Sequence, residues 1–382
     1  MLDLKKLHQI FDTLGIRFYT GVPDSLLNDF CLYLSENIPD ERHVIAANEG
    51  NAIAIAAGYH LATGSVPLVY MQNSGIGNSL NPLISLTNIQ TYAIPLILLI
   101  GWRGSPGVKD WAHHKEQGRN TTRFLESLNI TYQVLENFEE ETYDSVKWAI
   151  ENAKEQSSPV ALLVKKGVLA KDEKRDFMSE ESKYKISREK AIECIINNVP
   201  CDSIFIATTG RATREIYEVR KKRDESHALD FLNVGAMGHA SSIALGLSMG
   251  KRDRLIVCLD GDASAIMHLG ALAIIGTSGR SNILHIILNN GSHESVGGQP
   301  SVGHKINFTK IAESVGYKTI GCEVDSTEDL KTAVGALSNS SVPAFIDIRI
   351  RKGIRHDVPP LDLSLIKIKD QLMDSIKRDF KK

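Results

Sequence analysis

Two polar residues, Asp262 and Asn290, each follow directly after a hydrophobic run, and their types suit metal chemistry. The runs at 254–259 and 282–288 are typical of neighbouring parallel strands, with a helical stretch between them that is predicted to open at Ser264. The carboxyl ends of such strands lie on one edge of the sheet, where open α/β folds bind ligands. A carboxylate and a neutral amide meeting there suit Mg²⁺, which usually keeps phosphate oxygens among its ligands. The sequence therefore predicts a site for Mg²⁺ and a phosphate, with helical N–H groups also directed at the phosphate.

Two other interpretations of the segment 260–264 have to be weighed. Its oxygen-bearing side chains at alternate positions imitate the start of a calcium-binding EF-hand loop. That loop requires glycine at its sixth position and glutamate at its twelfth, where this chain has Ala265 and Ala271. The EF-hand is excluded. An ordinary turn at the end of a strand remains an alternative, but Asn-Asn-Gly at 289–291 favours the metal site.

The chain has Gly-Asp-Ala at 261–263 and Asn-Asn at 289–290, with 27 residues between Asp262 and Asn290. This pattern resembles the fingerprint of thiamine-diphosphate-dependent decarboxylases. The resemblance implies that Asp262, the Asn290 side chain and the Ser292 carbonyl bind Mg²⁺. It also implies that Gly261, Ala263 and Ser264 contact the cofactor. Ala263 stands where the family usually has glycine, and alanine is acceptable there only if its φ stays below zero.

Glu49 is the candidate for the other end of the cofactor. Thiamine diphosphate attacks a 2-keto group through its C2 carbanion and then takes up the electrons released by decarboxylation. In the resembled family a glutamate promotes formation of that carbanion through the aminopyrimidine. Glu49 begins Glu-Gly-Asn-Ala and a helix of small residues that is predicted to stop at Gly64. The alternative is that Glu49 only interacts favourably with the helix dipole.

Two further turns match parts of the same family. By resemblance, Gly235 offers its carbonyl to the 4′-amino group of the cofactor, and Met237 is the apolar wedge beneath it. Met237 could instead simply fill core space, and the glycine spacing does not fit a dinucleotide-binding Gly-x-Gly-x-x-Gly motif. The hydroxyls and N–H groups of Thr208 and Thr209 follow a predicted strand and could hold diphosphate oxygens. A simple strand-to-helix turn also explains them.

A closer resemblance, along nearly the whole chain, is to the phosphonopyruvate decarboxylases. It rests on the two-domain length and on the segments 20–27, 71–78, 101–104, 107–110, 208–210 and 291–299. It implies conversion of phosphonopyruvate to phosphonoacetaldehyde and CO₂ in phosphonate biosynthesis. The alternatives are decarboxylation of sulfopyruvate, by resemblance to the sulfopyruvate decarboxylases that are related to that family, and a regulatory protein that binds the cofactor without catalysis. The second of these has Ala263 as its only support in the sequence.

The phosphonate of such a substrate needs cations or N–H donors. We favour His114 and His293 among the basic candidates near the motifs, which are Arg103, Lys109, His114, Arg119, His239, His293 and Lys305. By resemblance, Asp24 could relay a proton after CO₂ has left, although it could equally be the N-cap of the next helix. His113 precedes His114 directly, as in the paired histidines of pyruvate decarboxylases, and a surface loop is the alternative for it.

Strand and helix patterns alternate in both halves, which predicts an α/β protein with two doubly wound parallel-sheet domains of the thiamine-diphosphate-binding fold. We expect a pyrimidine-binding domain at 1–166, a charged linker at 167–186, a pyrophosphate-binding domain at 187–353 and a tail at 354–382 with a helix around 365–376. Ser187 is the expected N-cap of the second domain's first helix. In the resembled family the cofactor lies between domains of different subunits, so the resemblance implies a homodimer or a larger homo-oligomer. The predicted strands are 17–20, 43–46, 66–71, 94–100, 160–164, 203–207, 228–234, 254–259, 283–288 and 344–350.

Composition excludes some classes of function for this chain of 382 residues. A net charge of −2 and a pI near 6.6 provide no basic field for nucleic acid. The five cysteines lack Cys-x-x-Cys spacing, so we expect them to be reduced, mostly core residues of a cytoplasmic protein. Residues 1–10 are predicted to form an amphipathic helix rather than a signal peptide, and no apolar stretch is long enough for a membrane span.

Overall fold

The computed structural model describes residues 1–135, 139–170, 183–353, 357–359 and 361–377. The chain divides into two compact units, Met1–Arg175 with Ser295–Gln299 and Asp176–Glu294 with Pro300–Lys382. Each unit is built on a parallel sheet with helices packed against it, as the alternating pattern predicts. The charged run at 171–176, which the sequence places in a linker, lies outside the described residues.

The first unit has a six-stranded sheet in the order β2-β1-β3-β4-β6-β5, and every pair is parallel. Its strands are β1 Tyr19–Gly21, β2 His43–Ile45, β3 Leu68–Gln72, β4 Ile97–Gly101, β5 Tyr132–Leu135 and β6 Val160–Val164. Five of them are the strands that the sequence predicts. The sixth, β5, was not predicted because it lies at the sheet edge and only Leu135 in it is buried, so it lacks an apolar run.

The core of this first unit lies on both faces of the sheet. Along β4, Ile97 and Leu99 belong to one hydrophobic cluster, whereas Leu98 and Ile100 belong to another. Burial on both faces is what gives parallel strands their continuous apolar sequence. The helices are α1 Leu4–Thr13, α2 Asn28–Asn37, α3 Glu49–Thr63, α4 Ile76–Pro82, α5 Ala112–Ser127 and α6 Glu139–Gln156, with a 3₁₀ turn at Asn73–Gly75 and a π-helical turn at Leu83–Thr87.

The second unit has a five-stranded parallel sheet in the order β13-β10-β9-β7-β8. All five strands were predicted. They are β7 Ile204–Ala207, β8 Asp230–Leu232, β9 Ile256–Gly261, β10 Ile283–Asn289 and β13 Ala344–Arg349. Two strands that belong to neither of these large sheets are too short to leave a pattern in the sequence, namely β11 Ser292–His293 and β12 Gln299–Pro300.

Helix termini in the second unit follow local signals. Ser187 accepts a hydrogen bond from the Lys190 N–H and caps α7, as predicted. The C-terminal helix, predicted at 365–376, is α14; its Ile368 and Leu372 are buried in the core of this unit, so the helix is part of the fold. The helices are α7 Arg188–Asn198, α8 Arg211–Lys222, α9 Ala240–Gly250, α10 Asp262–Met267, α11 Ala271–Gly276, α12 Phe308–Ser314, α13 Thr327–Leu337 and α14 Leu365–Lys377. A 3₁₀ turn at Glu294–Val296 begins at the last residue before the first-unit segment Ser295–Gln299.

Each sheet has a point where the strand order reverses direction, between β1 and β3 in the first unit and between β7 and β9 in the second. Open α/β sheets bind ligands in the crevice at the carboxyl ends of the strands beside such a point. The residues that follow β1, β2 and β3, and those that follow β7, β9 and β10, are therefore placed for function.

Within the described ranges, the structure contains no helix with the length and apolar character that crossing a bilayer requires.

Candidate active site

Asp262 and Asn290 meet at the carboxyl edge of the second sheet. Leu288 of β10 pairs with Gly261 of β9, so the two strands end at the same level of the sheet. The backbone N–H of Asn290 donates to the Asp262 carboxylate, and the Ser301 hydroxyl donates to it from a third segment. The structure thus brings together the two residues that the sequence pairs.

The Asp262 carboxyl is 2% exposed, and burial raises its pKa to about 6 against the opposing effect of the Ser301 hydrogen bond. Burial outweighs these hydrogen bonds, so a cation beside the carboxylate would stabilise its ionised form. The neighbouring side chain of Asn290 is also buried and accepts from the Ser292 N–H at 3.1 Å. These ligand candidates offer oxygen atoms only, the kind that Mg²⁺ prefers, so the residues present fit a magnesium ion.

A glycine allows the chain to close over the Asp262 carboxylate. A Cβ atom at Gly303 would lie 2.4 Å from Oδ2 of Asp262 and 2.7 Å from Oδ1 of Asn289. Asn289 in turn donates to the Gly303 carbonyl at 2.9 Å and to Asp347 at 3.0 Å. The first asparagine of the pair therefore holds the segment that covers the site, while the second lies beside Asp262.

Ser264 ties together the ends of three strands. Its Oγ lies 2.8 Å from Oγ1 of Thr208, which follows β7, and it accepts from the Gly238 N–H, beyond β8, at 3.0 Å. Helix α10 begins at Asp262, two residues before the predicted opening at Ser264. Ala263 lies within that helix and does not have a positive φ, so the condition for replacing glycine is met. The substitution therefore gives no support to a protein that has lost catalysis.

The turn from Gly235 to Gly238 has an unusual backbone. Ala236 has φ of +47° and Gly238 has φ of +82°, where a Cβ atom would also come within 2.5 Å of the His268 ring. Met237 lies between them, is half-buried and belongs to none of the hydrophobic clusters formed by the described residues. Core filling therefore does not explain Met237. Gly235 and, after β7, Thr209 are both half-buried.

Glu49 lies in the first unit, at the start of α3 after β2. Asn48 caps the helix by accepting from the Asn51 N–H at 2.9 Å, and Gly64 ends it with φ of +69°, as predicted. The Glu49 side chain is only 6% exposed, and burial raises its pKa. Nδ2 of Asn78 donates to Oε2 of Glu49 at 2.7 Å and opposes that rise. A glutamate that only balanced the helix dipole would need neither this burial nor a dedicated donor.

Two glycines make room for the Glu49 carboxyl and its donor. A Cβ atom at Gly75 would lie 2.5 Å from Cγ and 2.6 Å from Oε1 of Glu49, and one at Gly50 would lie 2.8 Å from the Asn78 carbonyl. Both Gly75 and Asn78 belong to the segment 71–78, which resembles the family but to which the sequence assigned no role. The role of this segment appears only in the folded protein, where Asn78 contacts Glu49 across 29 positions of the chain.

Comparisons with known proteins agree with this arrangement. The family model described as the N-terminal binding domain of thiamine pyrophosphate enzymes matches residues 6–123, and that for the C-terminal binding domain matches residues 208–348. Thiamine pyrophosphate is the same compound as thiamine diphosphate. The chain belongs to the thiamine pyrophosphate enzymes.

Relatives narrow the type of reaction. Phosphonopyruvate decarboxylase of Streptomyces viridochromogenes is 30% identical over 89% of this chain and 86% of its own length, and that of Streptomyces hygroscopicus is 31% identical over 89% and 85%. Sulfopyruvate decarboxylase of Methanosarcina acetivorans is 27% identical over 91% of both chains. This thiamine pyrophosphate enzyme is a decarboxylase of the phosphonopyruvate and sulfopyruvate type.

Asp24 follows β1 in the first unit of this decarboxylase. Its carboxyl is 1% exposed, and burial raises its pKa to about 6. The Leu26 N–H donates to Oδ2 at 3.1 Å, whereas helix α2 begins only at Asn28, so the N-cap interpretation is wrong. A Cβ atom at Gly101 would lie 1.9 Å from Oδ2, so the glycine after β4 makes room for the Asp24 carboxyl.

The favoured histidines are neutral in their surroundings. His114 lies in the first turn of α5, with its ring 4.1 Å from that of His113, so neither is in a surface loop. Burial, followed by the charge of Arg103, lowers the pKa of His114 to about 4. His293, in the second unit, is 9% exposed, and burial lowers its pKa to about 4 as well. Near neutral pH both imidazoles can donate or accept hydrogen bonds, but they provide no positive charge.

Arg103 is a residue whose surroundings the sequence did not reveal. Its Nε and Nη2 donate to the two carboxylate oxygens of Asp110 at 2.8 and 2.7 Å, and its Nη1 donates to Ser25 beside Asp24. The segments 101–104 and 107–110, which carry the pair, contributed to the resemblance. Their residue types alone could not show that one carboxylate fixes one guanidinium beside Asp24.

Proposed function

We propose that this enzyme decarboxylates 3-phosphonopyruvate to phosphonoacetaldehyde and CO₂ in phosphonate biosynthesis, with thiamine diphosphate and Mg²⁺. The observation that carries the proposal is the buried Glu49 carboxyl with its Asn78 donor, a feature that cofactor activation requires and that folding alone does not. The relatives named for phosphonopyruvate, at 30% and 31% identity over most of the chain, support this substrate.

The residues of the second unit would hold the diphosphate end of the cofactor. Asp262, the Asn290 side chain and the Ser292 carbonyl would bind Mg²⁺, whose charge offsets the burial of the Asp262 carboxylate. The cofactor, once bound, supplies a nucleophile for the keto carbon and takes up the electrons that CO₂ leaves behind. The remaining cofactor contacts are proposed for Thr208, Thr209, Gly235, Met237, Gly261, Ala263 and Ser264.

The residues of the first unit would handle protons. Glu49 would exchange a proton with the aminopyrimidine, and Asn78 holds its carboxyl in one orientation. A raised pKa keeps a buried acid protonated closer to neutrality, which suits a general acid. We therefore assign Asp24, with its pKa of about 6, to delivery of the proton that completes the product. His114, like His293 in the second unit, would orient the substrate as a neutral hydrogen-bonding group.

We further propose that residues 1–166 bind the pyrimidine and residues 187–353 the pyrophosphate, in a homodimer or larger assembly with active sites at the subunit interfaces. Some relatives are named as separate alpha and beta subunits of sulfopyruvate decarboxylase, matching 39% and 50% of this chain. Two chains thus do in those proteins what one chain would do here.

Sulfopyruvate is the second candidate substrate, because a relative named for it covers 91% of the chain. The test uses purified protein freed of cofactor and given phosphonopyruvate, sulfopyruvate or pyruvate at equal concentration. CO₂ and aldehyde release are measured with thiamine diphosphate and Mg²⁺ added together, singly or not at all. We expect the highest kcat/KM with phosphonopyruvate and activity only when both are present. Faster turnover of sulfopyruvate, or no turnover of phosphonopyruvate, would overturn the proposal.

A further inference from the structure

We propose that a pocket in the first unit, beside Asp24, binds the phosphonate group of the substrate through Arg103 and Lys109. This inference rests on the proposed function and adds the residues that would select the substrate. The pocket has a volume of about 300 Å³. The residues that line it include Ser25, Leu26, Asn28, Arg103, Lys109 and Asp110.

The position of the pocket follows from the chemistry of a short substrate. In phosphonopyruvate a single CH₂ separates the phosphonate from the keto carbon, so the acid that protonates this carbon has to lie beside the phosphonate site. Ser25 and Leu26, the two residues that follow Asp24, line the pocket. The Leu26 N–H donates to the Asp24 carboxyl. The pocket volume is at the lower end of the range for small-molecule sites, which suits a three-carbon substrate.

Arg103 lines the pocket and has N–H donors left for an anion. An arginine has five N–H donors; Asp110 takes those of Nε and one on Nη2, and Ser25 takes one on Nη1. One N–H therefore remains on each terminal nitrogen, in the plane of a guanidinium that cannot rotate freely. Paired N–H donors of this kind bind phosphonate-type oxygens in a bidentate manner, which a lysine cannot do. Asp110 stays ionised because the Arg103 guanidinium and the Trp111 N–H lower its pKa despite partial burial.

The ionised Asp110 balances the charge of Arg103, so the positive charge that offsets the phosphonate has to come from lysine. His114 is neutral near pH 7, so it does not offset a dianion. Lys109 is exposed at the pocket and forms no ion pair with any part of the chain that the structure describes. A phosphonate carries up to two negative charges and a sulfonate only one, so Lys109 would favour the phosphonate.

The first-unit part of the motif, Ser295–Gln299, also packs beside this pocket. Gln299 is fully buried in the first unit, and its Nε2 donates to the carbonyl of Asn28 at 3.0 Å. A Cβ atom at Gly297 would lie 2.9 Å from Cβ of Asn28, and φ of +123° there also favours glycine. Gly297 and Gln299 therefore pack this segment against Asn28, which lines the proposed phosphonate site.

The test compares Arg103→Gln, Arg103→Lys and Lys109→Gln with wild-type enzyme, and Lys115→Gln is the control because Lys115 is exposed and does not line the pocket. We expect Arg103→Gln to raise KM for phosphonopyruvate about 100-fold, as loss of a charged hydrogen-bonding partner does, with a far smaller effect on pyruvate. Arg103→Lys should recover only part of this loss, and Lys109→Gln should raise KM about 5-fold. Calorimetric titration of cofactor-free protein with methylphosphonate provides a readout independent of turnover and should show binding that Arg103→Gln removes.

The outcomes separate this inference from the proposed function. If wild-type enzyme does not decarboxylate phosphonopyruvate, the proposed function is wrong. If it does, and both Arg103→Gln and Lys109→Gln keep the wild-type KM and methylphosphonate affinity, the pocket assignment alone is wrong. Should Arg103→Gln fail to fold, the exposed Lys109→Gln variant decides, since a KM equal to that of Lys115→Gln would refute the assignment.

Discussion

Replacing Asp24 with asparagine should make the protein more stable and less active. Burial raises the pKa of this carboxyl from 3.8 to about 6, so the folded state holds the proton more tightly than the unfolded chain. The contribution of the protonated carboxyl to the free energy of unfolding is fully present below pH 3.8 and is lost as the pH rises through 6. An asparagine is uncharged at every pH and can still accept from the Leu26 N–H.

The pKa difference sets the size of the effect. At 1.36 kcal/mol per pKa unit, the buried Asp24 carboxylate destabilises the folded protein by about 3 kcal/mol at pH 8 and by about 1.5 kcal/mol at pH 5. The carboxyl is almost completely buried, so solvent does not screen this cost. Asp24→Asn should therefore exceed wild type in unfolding free energy by these two amounts.

The assay is urea denaturation of both cofactor-free proteins at pH 5 and at pH 8. The difference between variant and wild type isolates Asp24, since every other titrating group is common to both. Turnover by the variant should fall about 100-fold if Asp24 is the general acid. A stability difference that is the same at both pH values, or a less stable variant at pH 8, would refute the reasoning.

Three other substitutions test the geometry. Gly75→Ala places a methyl group 2.5 Å from the Glu49 side chain, so we expect a loss of about 1–3 kcal/mol in unfolding free energy and a fall in kcat, both measured on purified protein; wild-type values would contradict the packing. Ser264→Ala removes the hydroxyl that bonds to Thr208 and should weaken thiamine diphosphate binding about 10-fold in fluorescence titration, whereas unchanged affinity would disprove its role. Asp262→Asn should abolish the rise in Tm that Mg²⁺ and cofactor together give wild type, and a full rise in the variant would remove Asp262 from the metal site.

The sequence predicts what depends on local order along the chain. Strands such as Ile283–Asn289 are buried on both faces and therefore appear as unbroken apolar runs. Asp262 and Asn290 could be paired because parallel strands bring their carboxyl ends to one edge. Strand β5 lacked such a run, since it is an edge strand with one buried residue.

Contacts set by tertiary packing could not be predicted. Asn78 reaches Glu49 across 29 positions, and Ser301 reaches Asp262 across 39. Nothing in the local sequence of a serine or an asparagine indicates such a partner. The lowered pKa of His114 likewise depends on burial and on Arg103, which the residue type does not reveal.

The most direct test of the central claim is the rate of phosphonoacetaldehyde formation by Glu49→Ala with saturating thiamine diphosphate and Mg²⁺. The exposed Glu41 provides the matched control as Glu41→Ala. We predict that Glu49→Ala loses at least about 1000-fold in kcat while it binds cofactor and unfolds much as wild type does, and that Glu41→Ala keeps full activity. Full activity in Glu49→Ala would contradict the account.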